Sequence, residues 1–358
     1  MTTRGRRPTL SPALLPALHL VARRVRPGWL RDLEAAATRT WDLAPGCESV
    51  TPRAFFLPGQ LDRVTAWAFA DEHPRREMEG GIVERHGPTR AMLIRDAWLL
   101  DGVLYKGRAA SHLHPRRHRV PQLRVDRVLD RAALYCTPQG NRYFGSWVMD
   151  DCPRYPLAVA EGTPITTRLP QGVHARDYEA RLEMQPERID AAHLREVVIF
   201  DDVGQNRDKH RRFAAMGDAL RRGVDAAPHP GVFILRGRAG EPRILIDELE
   251  LAHHLQRARG FRILDPMQAD VATIIAACAG AQVVVGIEGS ALVHGVITLR
   301  PGGSLLVLQP PHRFCSVFKH LTDRDGQHFG FVVGTPRGAD FTVDVQEVER
   351  TLDLFPSP

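Results

Sequence analysis

No apolar run in this chain of 358 residues reaches the roughly 20 residues that a membrane-spanning helix needs. The longest apolar stretches are strand-sized. Cysteine is scarce: Cys47, Cys136, Cys152, Cys278 and Cys315 lie far apart with no CxxC pair. An odd, scattered set supports neither a disulfide framework nor a zinc site, and free, mostly buried thiols in a reducing compartment are expected. Aromatic residues make up only 7% of the chain, and none interleaves with basic residues in the manner of an RNA-binding motif. Specific nucleic-acid binding is therefore not expected. The sequence also has no internal repeat and no low-complexity tract.

What is present begins with charge. The net charge of +6 favours anionic partners, such as nucleotide phosphates or an acidic membrane face. Arg4-Gly5-Arg6-Arg7 and Pro115-Arg116-Arg117-His118-Arg119 read as surface loops. The first segment, MTTRGRRPTLSPALLPALHLVARRVRPGW, places basic residues before an apolar patch, as a secretory signal does. Pro12 and Pro16 interrupt that patch, His19 lies inside it, and no small-residue cleavage site precedes Arg23 and Arg24. The segment is expected to be retained in a cytoplasmic chain. It reads as a short helix packed on the body, with a basic amphipathic helix at the inner membrane face as the alternative.

The organisation that follows is α/β. Residues 1–50 form an N-terminal arm, 51–205 a first α/β domain, 206–335 a second and 336–358 a tail helix. AMLIRDAWLLDGVLYKG predicts a hairpin turning at Asp101-Gly102. A strand from Ala132 to Cys136, a helix from Gly145 to Cys152 and the short runs PITTRLP and REVVIFDDV follow. From Asn206 onward helix and strand alternate with short joints, which predicts a parallel sheet. RDKHRRFAAMGDALRRG has Phe213, Met216 and Leu220 at helical spacing. IDELELAHHLQRARG predicts a helix opened by Asp247 with Glu250 as a capping box and closed by Gly260.

Ligands of open parallel sheets bind beyond the carboxyl ends of the strands. Three strand exits carry suggestive residues. In GVFILRGRAGEPRIL, Arg236, Arg238 and Arg243 leave a strand among glycines, which suits bidentate recognition of phosphate, or else a basic surface loop. In GIEGSALVHG, Gly289, Ser290 and Ala291 open a helix whose free amides face the exit. Glu288 does not suit a pure phosphate cradle. It accepts from sugar hydroxyls, serves as a base, or is only a helix-terminal charge. His294 follows one turn later, and a lone helix histidine is commonly structural. In GSWVMDDCPRY, Asp150 and Asp151 diverge by about 100° on a helix, so they do not form a metal pair. Either one can act as a base if burial raises its pKa, or both are solvated ahead of Pro153. Asp201-Asp202 presents a similar pair.

From Ala132 to Val333 the ordered pieces FILRGR, Leu264-Asp265-Pro266, VVGIEGSAL, Pro301-Gly302 and LLVLQP resemble glycosyltransferase family 61, which includes capsular-polysaccharide-type transferases. The resemblance implies a GT-B fold, two Rossmann-like domains facing across a cleft. It places a nucleotide-sugar donor mainly in the C-terminal domain and a glycan acceptor on the other side. It also implies inverting chemistry with no metal or other cofactor. Arg236, Arg238, Arg243, Gly289, Ser290, Ala291 and His294 then bind donor. Glu288 holds a donor hydroxyl or takes the acceptor proton, with Asp150 or Asp151 as the alternative base. Two places depart from the family pattern: Gly145-Ser146-Trp147 has serine where a histidine is common, and EGSALVH replaces HGAGLTN. Glu288 thus takes a histidine position and His294 an asparagine position. The serine raises a second possibility, a catalytically silent homologue that binds nucleotide sugar or glycan.

Overall fold

The computed structural model describes residues 14–69, 74–115, 125, 127–167, 172–237 and 243–356. The basic clusters Arg4–Arg7 and Arg116–Arg119, together with Arg238, lie outside the described residues. Contacts sort the chain into two units. One comprises Met1–Pro45, Pro88–Ala175 and Met184–Val203, the other Gly46–Gly87, Arg176–Glu183 and Gly204–Pro358.

The first unit is built on an eight-stranded mixed sheet. Its strands are β1 (Arg39–Ala44), β2 (Thr89–Leu100), β3 (Val103–Lys106), β4 (Ala109–His112), β5 (Val128–Leu134), β6 (Thr163–Thr166), β7 (Glu187–Arg188) and β8 (Ala191–Asp201). They run in the order β4-β3-β2-β8-β5-β6-β7, with β1 also on β2. The β2–β4 portion is antiparallel, and β8, β5, β6 and β7 are parallel. Asp101 and Gly102 turn the β2–β3 hairpin with φ of 45° and 78°, the double positive φ that an Asp-Gly turn supplies. Ile94, Leu99, Leu134, Ile165, Leu194 and Val197 are among the buried residues of its core. The N-terminal helix α1 (Leu15–Val25) also belongs to this unit.

The helix expected to stop at Cys152 does not stop there. A turn at Phe144–Ser146 and a π-helical segment at Trp147–Asp151 lead into α2 (Cys152–Glu161). Pro153 sits in the first turn of α2, where a missing N–H costs no intrahelical bond, so it opens the regular helix instead of ending it.

The second unit carries a five-stranded, wholly parallel sheet. Its strands are β9 (His229–Ile234), β10 (Arg262–Leu264), β11 (Ala281–Ile287), β12 (Ser304–Gln309) and β13 (His328–Val333), in the order β10-β9-β11-β12-β13. The joining helices are α3 (Glu248–Arg259), α4 (Val271–Ala279), α5 (Val293–Thr298) and α6 (Val317–Arg324). The predicted helix over RDKHRRFAAMGDALRR spans Arg207–Arg221, capped by the Asn206 side chain on the amides of Asp208 and Lys209. α3 ends at Gly260 in the left-handed region, as expected, but its capping box does not form. Asp247 makes no side-chain cap bond. Residues 51–87 were grouped by sequence with the first domain, whereas the units place Gly46–Gly87 with the parallel sheet. The physical link is edge pairing: the Phe55 amide donates to Phe329 O, and the Phe331 amide donates to Phe55 O.

Gly286, near the end of β11, is demanded by packing. A Cβ there would lie 2.7 Å from Leu292 Cδ2 and 2.9 Å from Ile234 O. The start of the following helix therefore leans on the strand at van der Waals distance. Gly286→Ala is expected to destabilise the protein by about 1–3 kcal/mol through overpacking. Denaturant unfolding measures this, and an unchanged midpoint would show that the helix start yields freely.

Candidate functional site

In sequence order the strands of the parallel sheet lie 2-1-3-4-5, so the order reverses between β9 and β11. A crevice opens at such a switch, outside the carboxyl ends of the two strands. Ile234 pairs with Gly286 across this switch, so Arg236 and Glu288 leave the sheet at matching positions on neighbouring strands. Two of the three strand exits singled out by sequence thus converge.

The convergence is electrostatic. Arg236, Arg243 and Glu288 are 8%, 5% and 5% exposed. Glu288 Oε2 accepts from Arg243 Nη2 at 2.7 Å and from Arg313 Nη1 at 2.8 Å. Arg236 Nη1 donates to Arg243 O at 2.8 Å. The Arg236 and Gly237 amides donate to Glu248 Oε1 and Oε2 at 2.6 and 2.9 Å. Burial, and then the neighbouring Arg243, lowers the Arg236 pKa, while burial raises that of Glu248 against the pull of the two amides. Burial, followed by the nearby Glu288 charge, pushes the Cys315 thiol up to about 12. Three guanidinium groups therefore share a largely buried site with two carboxylates.

Two further details shape the crevice. Gly289 has φ of +151°, and a Cβ there would stand 3.1 Å from Arg236 Nε and 3.6 Å from Arg243 Nη2. Glycine thus lets the guanidinium groups approach the backbone. Arg243 Nε and Nη1 are buried and have no hydrogen-bond partner among the described residues. An unsatisfied buried donor of this kind costs about 1–3 kcal/mol, and more when it belongs to a charged group. Such a cost is repaid when an anion supplies the missing acceptors.

The other sequence candidates fall differently. Ser290 is exposed and Ala291 half-buried, on a 3₁₀ turn at Ser290–Leu292 that precedes the six-residue α5. So short a segment carries little macrodipole, so the positive charge at this exit comes chiefly from the arginine side chains. His294 is buried, and its Nδ1 lies 2.7 Å from the Tyr178 hydroxyl, a polar pair within the second unit. Asp150 and Asp151 belong to the first unit. On the π-helical segment Asp150 is half-buried and Asp151 wholly buried.

Asp151 is committed to holding its own neighbourhood. Its Oδ1 accepts from the Thr137 amide at 3.1 Å and the Thr137 hydroxyl at 2.8 Å, and Arg154 Nη1 lies 3.5 Å away. A Cβ on Gly140 would meet its Oδ2 at 1.9 Å. Asp202 is similarly engaged, accepting from Thr89 Oγ1 at 2.8 Å. Sequence reasoning missed Arg313, Glu248 and His312, whose buried Nδ1 has no partner among the described residues. Arg313 and His312 sit in QPPHRF, the exit of β12, and the strand-exit rule could have found both.

Burial pushes the Asp151 carboxyl up to about 7, against the Arg154 charge and the Thr137 hydrogen bonds. A raised folded-state pKa gives stability that is fully present below about 4 and is lost as pH rises towards 7, because the unfolded chain releases its proton first. Asp151→Asn has no proton to lose. Its stability relative to the wild type should therefore improve from pH 4 to 7, by at most ~1.4 kcal/mol per pH unit. Urea midpoints of both proteins across that range measure the effect, and parallel curves would refute it.

Two depressions of about 330 and 470 Å³ in the second unit share no residue with the arginine cluster. Among the described residues no group of three or more His, Cys, Asp or Glu is placed to hold a metal ion. No curated protein matches the chain. The family model Glycosyltransferase 61 matches residues 114–306, a span that includes Arg236, Arg243 and Glu288. With more than half of its length matched, the chain belongs to glycosyltransferase family 61.

Proposed function

We propose that this glycosyltransferase moves a sugar from a nucleotide-sugar donor to a hydroxyl of a glycan acceptor, with inversion and without a metal ion, in the synthesis of a bacterial capsular or surface polysaccharide. One observation carries the donor assignment. Arg243 is held by Glu288 through Nη2, while its Nε and Nη1 have no partner among the described residues. Each of these two nitrogens is a charged donor that a phosphate oxygen can satisfy, one on either side of the Nη2 held by Glu288.

In this reading Arg236, Arg243 and Arg313, with Arg238, receive the diphosphate, and the Gly289–Ala291 segment lies against it. As the glycosidic bond breaks, negative charge grows on the leaving phosphate oxygen. Fixed guanidinium groups in a dry site stabilise that charge more than they stabilise the intact donor. They supply the positive charge that a divalent ion would otherwise bring. Glu288 is assigned to orienting Arg243 and Arg313 and to a donor hydroxyl, because two cations already claim its Oε2. His312, on the same edge of the sheet, is the group proposed to accept the acceptor proton. The committed contacts of Asp151 support a structural role for it.

The GT-B arrangement is part of the same proposal. Its donor half is supported by the parallel sheet with a 2-1-3-4-5 order. A cytoplasmic location is supported by five free thiols, four of them buried.

Calorimetric titration with a panel of nucleoside diphosphates and their sugars tests the reading. Arg243→Ala should weaken diphosphate binding by roughly 10- to 100-fold, the worth of one to two hydrogen bonds to a charged group. Arg243→Lys keeps the charge but loses the separate Nε and Nη1 donors, so it should fall between. Unchanged affinity in Arg243→Ala, with the fold intact by circular dichroism, would sink the donor assignment. Tight donor binding with no turnover of any labelled sugar would instead favour the silent homologue, for which Ser146 is the sequence motive.

A further inference from the structure

Surface helices ordinarily turn their apolar residues inward and their polar residues to water. Helix α1 also leaves a row of apolar residues facing outward. Its inward face carries Leu15, Pro16 and His19. His19 Nε2 lies 2.9 Å from Gly107 O, and its ring meets Tyr105 edge-on with centroids 5.0 Å apart. Leu15 joins the small core of Leu100, Val103 and Tyr105. The helix is thus fixed to the first unit by a polar residue and a few apolar contacts. On its outer face Leu14, Leu18, Val21 and Val25 are 47%, 40%, 59% and 77% exposed. Spacings of four, three and four residues put them in one stripe along the helix.

The charge beside the stripe says what could cover it. The first 31 residues contain seven arginines and no Asp or Glu. Arg23, Arg24 and Arg26 are exposed at the end of the helix. Trp29 follows half-buried, with the exposed Arg108 stacked 5.0 Å from its ring. Two copies of such a face would repel each other, whereas an anionic surface would attract it. An apolar stripe with exposed arginines gathered at one end of the helix, and an aromatic ring beyond them, is the chemistry of a helix lying in a lipid interface.

We infer that α1 docks the protein on the surface of an anionic bilayer, with Leu14, Leu18, Val21 and Val25 entering the headgroup–acyl boundary and the arginines against lipid phosphates. This inference is independent of the donor assignment. Eleven residues make a helix only about 16 Å long, so binding is shallow and reversible. It depends on apolar burial and charge together.

Co-sedimentation of the full chain with vesicles tests it. The protein should pellet with phosphatidylcholine vesicles containing about one-third phosphatidylglycerol, but not with pure phosphatidylcholine. It should be released by about 1 M salt, where screening leaves only a few ångströms of electrostatic reach. Val21→Asp, at an exposed position, should abolish pelleting with an unchanged unfolding midpoint. R23A/R24A should lower partitioning about 25-fold, at roughly fivefold per arginine. No pelleting with the anionic vesicles, or equal pelleting of Val21→Asp and the wild type, overturns the inference. So does analytical ultracentrifugation showing that Val21→Asp splits a dimer while the wild type ignores vesicles, because the face would then belong to a second copy.

Discussion

The ion pair between Glu288 and Arg243 governs what the exit of the parallel sheet can be. Neither group is tolerable alone at that depth, since an unpaired buried charge costs several kcal/mol. Together, with Arg313 on the same carboxylate oxygen, they form a site in which one nitrogen of Arg243 is paired and the other two have no partner among the described residues. Surrounding features follow from accommodating the pair. Gly289 leaves room for the guanidinium groups, and Gly286 lets the next helix begin close against the strand. Replacing Glu288 would therefore disturb the arginines before it disturbed anything they bind.

Glu248 explains why this is a side-chain site. In glycine-rich phosphate loops the backbone amides at a strand exit point at the ligand. Here the Arg236 and Gly237 amides are already taken by the Glu248 carboxylate. That bond pins the turn after β9, and with it the direction in which Arg236 leaves the strand. The cost is two amides no longer available to an anion. Guanidinium groups have to do what backbone does elsewhere, which accounts for the number of arginines gathered at one switch point.

Much of the second unit was legible in the sequence because buried parallel strands and amphipathic helices alternate there with clear punctuation. The strand-exit rule then sufficed to bring Arg236, Arg243 and Glu288 together. What stayed hidden has physical causes. Glu248 lies one residue past the expected cap Asp247, outside the Asp247/Glu250 pattern, and its partners are two amides eleven and twelve residues earlier in the chain. Arg313 lies 25 residues from the carboxylate it pairs with, too far for any local pattern. Of the two readings open for Asp151, solvated or buried with a raised pKa, burial holds, and its Thr137 partner, fourteen residues earlier, could not be read from spacing. Chain order groups residues 51–87 with the first domain, whereas edge pairing of Phe55 with β13 ties them to the parallel sheet.

The carboxylate of Glu288 has an electrostatic consequence. A carboxylate at the exit of β11 brings a negative charge to a place where a diphosphate would need positive potential. Two guanidinium groups on one carboxylate oxygen reverse that sign locally, and Arg236 beside them adds to the reversal. The carboxylate is tolerable because the loop after β12 supplies Arg313. His294 is turned into the core against Tyr178 and contributes no comparable donor. The glutamate, the arginine on the neighbouring exit and the arginine on the next loop are one electrostatic unit. Removing any one of them leaves a buried charge with fewer partners.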